Sequence, residues 1–113
     1  MKHIMLLLLL VAIYSCNDTG KIKVQNNIHN VKLESVSWGN YSIAYSLLTG
    51  EKSDEITIED KKETFPKIYD VSFYMVNSDK RVYLKTKSKF QLDADQNLTI
   101  VITDTTTVFN PSL

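Results

Sequence analysis

A two-residue alternation of apolar and polar side chains narrows what this chain can become. From Arg81 to Lys87 it is regular: Val82, Leu84 and Thr86 share one parity, and Arg81, Tyr83, Lys85 and Lys87 the other. Successive side chains of an extended strand point to opposite faces, so this pattern buries one face and wets the other. The same period runs through Ile22 and Val24, through Tyr41, Ile43, Tyr45 and Leu47, and through Leu98, Ile100 and Ile102. No stretch of the mature part has the three-and-four spacing of an amphipathic helix. Valine, isoleucine, threonine and tyrosine are plentiful, which favours a pleated surface.

Turn chemistry punctuates the strands. Asn26-Asn27 with His29-Asn30, Gly39-Asn40, Thr49-Gly50, Asn77 to Lys80 and Asp93 to Asn97 are all rich in residues that tolerate tight turns. Gly39-Asn40 suits a two-residue hairpin because both accept positive φ. In Val31 to Trp38 the apolar parity changes near Ser35, which predicts a bulge or bend. Tyr69 to Val76 is apolar on both faces and is expected to be a central strand. Ile56 and Ile58 mark a short strand, Phe90 and Leu92 extend the pattern after Ser88, and Val108-Phe109 marks a last one. The expected fold is all-β, a single antiparallel β-sandwich of seven to eight short strands. The expected core is Leu33, Trp38, Ile43, Ile58, Val71, Phe73, Val82, Leu84, Leu98, Ile100 and Ile102.

The N-terminus is different. Met1-Lys2-His3 is a short basic start, and Ile4 to Tyr14 then carries no charge. A membrane-spanning helix needs about 20 such residues, so this run matches the apolar core of a secretory signal peptide instead. Ile13-Tyr14-Ser15-Cys16 resembles the lipobox of bacterial lipoproteins. The resemblance implies cleavage after residue 15, acyl chains on Cys16 such as palmitate, and a membrane anchor without a spanning helix. It also accounts for a lone cysteine in a compartment where thiols otherwise pair. The expected organisation is a signal peptide over 1–15, a lipidated cysteine and short tether over 16–20, and a β-sandwich domain over 21–113. Asn17 in place of an aspartate after the cysteine favours the outer membrane of a bacterial envelope.

A second resemblance covers most of the mature domain. Trp38-Gly39, Ser46-Leu47-Leu48 with Gly50-Glu51, Val82 to Thr86, and Leu98 to Ile102 before Asp104 are similar to a group of small envelope lipoproteins that carry immunoglobulin-like β-sandwiches. That group has no assigned activity, so the likeness bears on fold only.

Catalytic and metal chemistry find few residues to work with. The mature part holds one histidine, His29, and nothing like a strained Gly-x-Ser-x-Gly turn. One histidine without thiolates does not make a usual zinc site. Asp93, Asp95 and Asn97 have the odd-numbered spacing of a calcium loop, with Asp104 at its twelfth position. The sixth position needs glycine and holds Leu98, so the stretch reads as a hairpin turn. No cofactor is expected. With 13 basic and 13 acidic residues, the chain lacks the basic excess of a nucleic-acid binder.

One stripe remains. Arg81, Tyr83, Lys85 and Lys87 share a strand face, and are either a solvated surface that blocks edge pairing or a binding face. The function expected from the sequence is a non-enzymatic, lipid-anchored envelope protein that binds a protein or glycan. The alternatives are an accessory, inhibitor or immunity-type protein docked to a larger partner, and a small hydrolase using two convergent carboxylates.

Overall fold

The computed structural model describes residues 19–59 and 65–112, and every strand in it is part of a β-sheet. Cys16, with the rest of the signal and lipidation segment, lies outside the described residues. The chain runs β1 (Thr19–Asn27), β2 (Lys32–Trp38), β3 (Tyr41–Leu47), β4 (Ile56–Glu59), β5 (Lys67–Tyr69), β6 (Val71–Asn77), β7 (Lys80–Thr86), β8 (Phe90–Leu92), β9 (Asn97–Thr103) and β10 (Val108–Phe109). A five-stranded sheet has the order β10-β7-β6-β2-β3 and a three-stranded sheet the order β4-β1-β9. A two-stranded ribbon, β5-β8, adds a third piece. The fold is an all-β, sandwich-like arrangement around one core.

Alternation explains the core. Ile22 and Val24 of β1, Ile58 of β4, and Ile100 and Ile102 of β9 point from the smaller sheet. Leu33, Val36, Trp38, Ile43, Leu47, Val71, Phe73 and Leu84 meet them from the larger one, and all belong to one buried cluster. Leu92 of β8 closes it beneath Gly20, whose missing side chain leaves room; a Cβ there would lie 2.8 Å from Leu92.

Several expectations are met with revisions. Ser35 has φ of +50°, and the register of β2 against β6 shifts between Glu34 and Ser37, as the change of parity predicted. Trp38 and Tyr41 pair across Gly39-Asn40. There are ten strands among the described residues rather than seven or eight. The stretch from Tyr69 to Val76 breaks at Asp70, whose carbonyl accepts from the Gly39 N–H at 3.1 Å. Tyr69 thereby joins the ribbon while Val71 onwards forms the central strand. β1 begins at Thr19, so residues 19 and 20 belong to the sheet and not to the tether.

β1 and β9 run parallel, Lys21 opposite Asn97 through Asn27 opposite Thr103, where only antiparallel pairs were expected. Of the expected core, Val82 is 38 % exposed and Leu98 is half-buried. Val82 lies opposite Met75 on the inward face, but the narrower sheet does not reach that corner of the wider one.

Two buried polar side chains hold β1 in place, one to the other sheet and one to the β3–β4 loop. Asn26 is fully buried; its amide donates to the carbonyls of Val31 (2.9 Å) and Leu47 (3.0 Å) and its oxygen accepts from the Ile28 N–H. Ser53 donates its N–H to the Val24 carbonyl and accepts from the Val24 N–H on its hydroxyl. It thus carries the strand-like course of residues 50–59 along β1 where regular pairing stops. At the opposite end, Trp38 donates Nε1–H to the Phe90 carbonyl at 3.1 Å. Its ring packs edge-on to Tyr69 and stacks with Tyr41, and the Lys67 ammonium faces the rings of Tyr41 and Phe65.

Candidate binding face

The outer face of the five-stranded sheet is where the sequence-derived stripe falls. Three cross-strand pairs set it: Arg81 opposite Val76, Tyr83 opposite Tyr74, and Lys85 opposite Ser72. β2 adds Lys32 opposite Val76 and Glu34 opposite Tyr74. β10 adds Phe109 opposite Lys85, and Phe109 is 40 % exposed. Register therefore assembles one surface from β10, β7, β6 and β2. Lys87 follows the same parity but lies past the end of β7, its N–H bonded to the Thr107 carbonyl.

The centre of this face is already organised. The rings of Tyr74 and Tyr83 lie 5.0 Å apart at 47°. The Arg81 guanidinium sits 3.6 Å from the centroid of the Tyr74 ring, within the range of a cation–π contact. Its Nε–H donates to Glu34 Oε1 at 3.3 Å, and Lys32 Nζ reaches Glu34 Oε2 at 3.0 Å. The Lys32 ammonium first, and Arg81 after it, hold the Glu34 carboxyl below its ordinary range. One carboxylate thus orders two cations, and the Tyr74 ring seats the guanidinium of one of them. With Lys85, three cations face one carboxylate. The surface is suited to a ligand that stacks on flat groups and carries negative charge.

The sequence pointed to Arg81, Tyr83, Lys85 and Lys87; the structure brings the first three together on β7 and leaves Lys87 at the margin, past the strand's end. It did not point to Tyr74, Glu34, Lys32 or Phe109. Their parity was legible, but which strand lies beside β7 is decided by long-range pairing.

A groove of about 470 Å³ adjoins the face, lined by Asn30, Val31, Lys32, Leu48, Val76 and Asn77 among others. Lys32 and Val76 belong to both features. Leu48 is 57 % exposed at its edge.

Two further constellations resolve differently. The Asp93 carboxylate accepts from Gln91 Nε2, whereas Asp104 lies past the far end of β9. Asp104 meets the His29 ring at 2.5 Å and accepts from the His29 N–H at 3.1 Å. That backbone hydrogen bond, followed by the ring, lowers the Asp104 pKa. The calcium-loop spacing thus belongs to two separate structural pieces, one at each end of β9. Among the described residues no three His, Cys, Asp or Glu side chains converge on a point that would hold a metal ion. His29 is 83 % exposed and acts as a clasp between the β1–β2 loop and the end of β9.

Compared with known proteins, the chain matches no family model, no curated protein and no solved structure.

Proposed function

We propose that this chain is a lipid-anchored, non-catalytic binding module of a bacterial cell envelope, anchored at Cys16 in the outer membrane. It would hold a protein or glycan partner on the outer face of its five-stranded sheet. The observation that carries the reading is the preassembled centre of that face, with Arg81 lying on Tyr74, tied to Glu34 and flanked by Tyr83. Groups held in one geometry before binding lose less freedom when a partner arrives. An immunoglobulin-like assignment of the domain fits two stacked sheets with a tryptophan buried in their core.

The anchor and the face are compatible in position. β1 starts at Thr19, three residues after Cys16, so acylation there would set the Thr19 end of the domain against the bilayer. At about 3.3 Å per residue, the Asn27 end would stand roughly 26 Å further out. The Asn26 bonds to Val31 and Leu47 put the groove at the Asn27 end of β1, which on this reading would point away from the lipid.

Two experiments test the proposal separately. Metabolic labelling with a fatty acid is expected to mark the wild type and not Cys16→Ala; label retained by the variant rejects the anchor. Crosslinking in intact cells followed by capture of the tagged full-length protein identifies the partner. Tyr83→Ala and the Lys85→Glu/Lys87→Glu pair are expected to lower recovery of that partner at least 10-fold. Undiminished recovery by folded variants rejects this face as the binding surface.

A further inference from the structure

β3 forms one margin of the five-stranded sheet; among the described residues it pairs as a strand with β2 alone, and at its end the Leu47 carbonyl also accepts from the Asn26 side chain. From Tyr41 to Gly50 it and its exit loop carry no charged side chain, in a chain of which 23 % is charged. The other margin of the same sheet is different: β10 covers only Lys85 and Thr86 of β7, and the uncovered half of β7 carries Lys80 and Arg81. Charges, prolines and covering segments are the devices that keep sheet edges from pairing with other chains, and β3 has neither charge nor proline. Its Tyr45, in phase with the buried Ile43 and Leu47, is 82 % exposed. A groove of about 450 Å³ runs beside it, lined by Ile43 to Leu47 on one side and by Glu51 to Asp54 on the other. β9 is also an uncharged margin, but none of its inward side chains, Leu98, Ile100 and Ile102, is exposed as Tyr45 is.

The occupant is indicated by the strand itself. Tyr-Ser-Ile-Ala-Tyr-Ser-Leu, residues 41–47, has the same polarity pattern in both directions, centred on Ala44. We infer that β3 pairs antiparallel with β3 of a second copy of this chain, about a two-fold axis through Ala44. Tyr41 then lies opposite Leu47 of the second copy, Ser42 opposite Ser46, Ile43 opposite Tyr45, and Ala44 opposite Ala44. Every apolar side chain meets an apolar one and every serine a serine. Aromatic against β-branched is a favourable cross-strand pair, and neither paired segment carries a charged side chain. The contact is isologous, so it closes on two copies rather than propagating into a fibre. Two five-stranded sheets become one of ten.

The register makes the inference testable in the full-length protein in detergent. Ala44→Cys places thiols on the axis, where facing Cα atoms of an antiparallel pair are about 4.5–5.5 Å apart, within disulfide range. Ser46→Cys puts each thiol opposite Ser42, more than about 13 Å along the strand from its own counterpart. Mild oxidation is expected to give a dimer on a non-reducing gel for Ala44→Cys and none for Ser46→Cys or the wild type, whose lane reports on Cys16. Adding Tyr45→Lys to Ala44→Cys is expected to reduce the crosslink at least 10-fold. Light scattering on the wild type is expected to report twice the chain's mass. A monomer mass at tens of micromolar, equal crosslinking by the two cysteine variants, or crosslinking of Ala44→Cys to a different polypeptide each overturns the inference.

Discussion

Single residues carry more of this fold than their size suggests, and Asn26 is the clearest case. Its side chain satisfies two carbonyls and one N–H, from the β1–β2 loop and from β3, while fully buried. Asn26→Leu keeps the volume but strands those groups, and an unsatisfied buried polar group costs about 1–3 kcal/mol. Urea unfolding is expected to show a loss of that order, with the m-value unchanged. Gly39 is a second case. Its φ is +57°, and a Cβ would lie 2.4 Å from the Tyr69 ring. Gly50 has φ of +88° but open space around it. The left-handed region costs about 1–2 kcal/mol for a residue with a side chain, so both alanine variants lose that much. Gly39→Ala also displaces Tyr69 and with it the packing on Trp38. Its midpoint in a denaturant titration is expected to fall well below that of Gly50→Ala; equal midpoints would mean that the Tyr69 contact is not tight. The turn at Gly39-Asn40 was legible because glycine and asparagine are chemically special there. The clash that makes glycine obligatory was not, since Tyr69 arrives from thirty residues away.

Elements show where pattern suffices and where pairing decides. The bulge in β2 was legible because its cause is local: the apolar parity changes around Ser35, and Ser35 adopts φ of +50°. Replacing it by glycine removes strain at an exposed position, and Ser35→Gly is expected to be neutral or to stabilise by up to about 1 kcal/mol. Ser35→Val, β-branched at positive φ, is expected to destabilise, and thermal melts of the two variants will order them. The break at Asp70 was not legible, because the parity of Tyr69, Val71 and Phe73 runs straight through it while the backbone leaves one sheet for another. On the outer face, the Arg81–Glu34 bond is solvent-exposed, with side chains 52 % and 20 % accessible. Exposed pairs contribute about 0.2–1 kcal/mol. A double-mutant cycle of Arg81→Ala and Glu34→Ala is therefore expected to give a coupling below about 1 kcal/mol. Such a result would mark the pair as ordering the face more than holding the fold.

At the scale of the molecule, one core unites two sheets, and side-chain pairs between distant segments close it. Two carboxylates report on that closure through pH. Glu34, held by Lys32 and Arg81, and Asp104, held by the His29 backbone and ring, both have pKa values lowered in the folded state. Each binds a proton less readily folded than unfolded. The stability they contribute is present above their unfolded values, about 4.3 and 3.9. It is lost as pH falls through the lower folded values. The melting temperature is expected to be level from pH 7 to about 5 and to fall below roughly pH 4. Asp104→Asn is expected to flatten part of that fall; an unchanged acid limb in this variant would show that the clasp does not couple to unfolding.

What the sequence determined by itself is whatever a residue expresses within a few neighbours. That covers the two-residue period, the turn chemistry, the parity change at Ser35, and the stripe of Arg81, Tyr83 and Lys85. Most of the core followed, because alternation says which face of a strand is apolar. The tertiary structure decided which strands become neighbours and how far each sheet extends. The parallel pairing of β1 with β9, the clasp of His29 on Asp104 and the bond from Arg81 to Glu34 all join residues separated by dozens of positions. So does the exposure of Val82, which looks like a core residue until the width of the opposing sheet is known. Side-chain character is local and can be read along a chain. Contact between distant strands depends on how all of them share one core, and no short window contains that information.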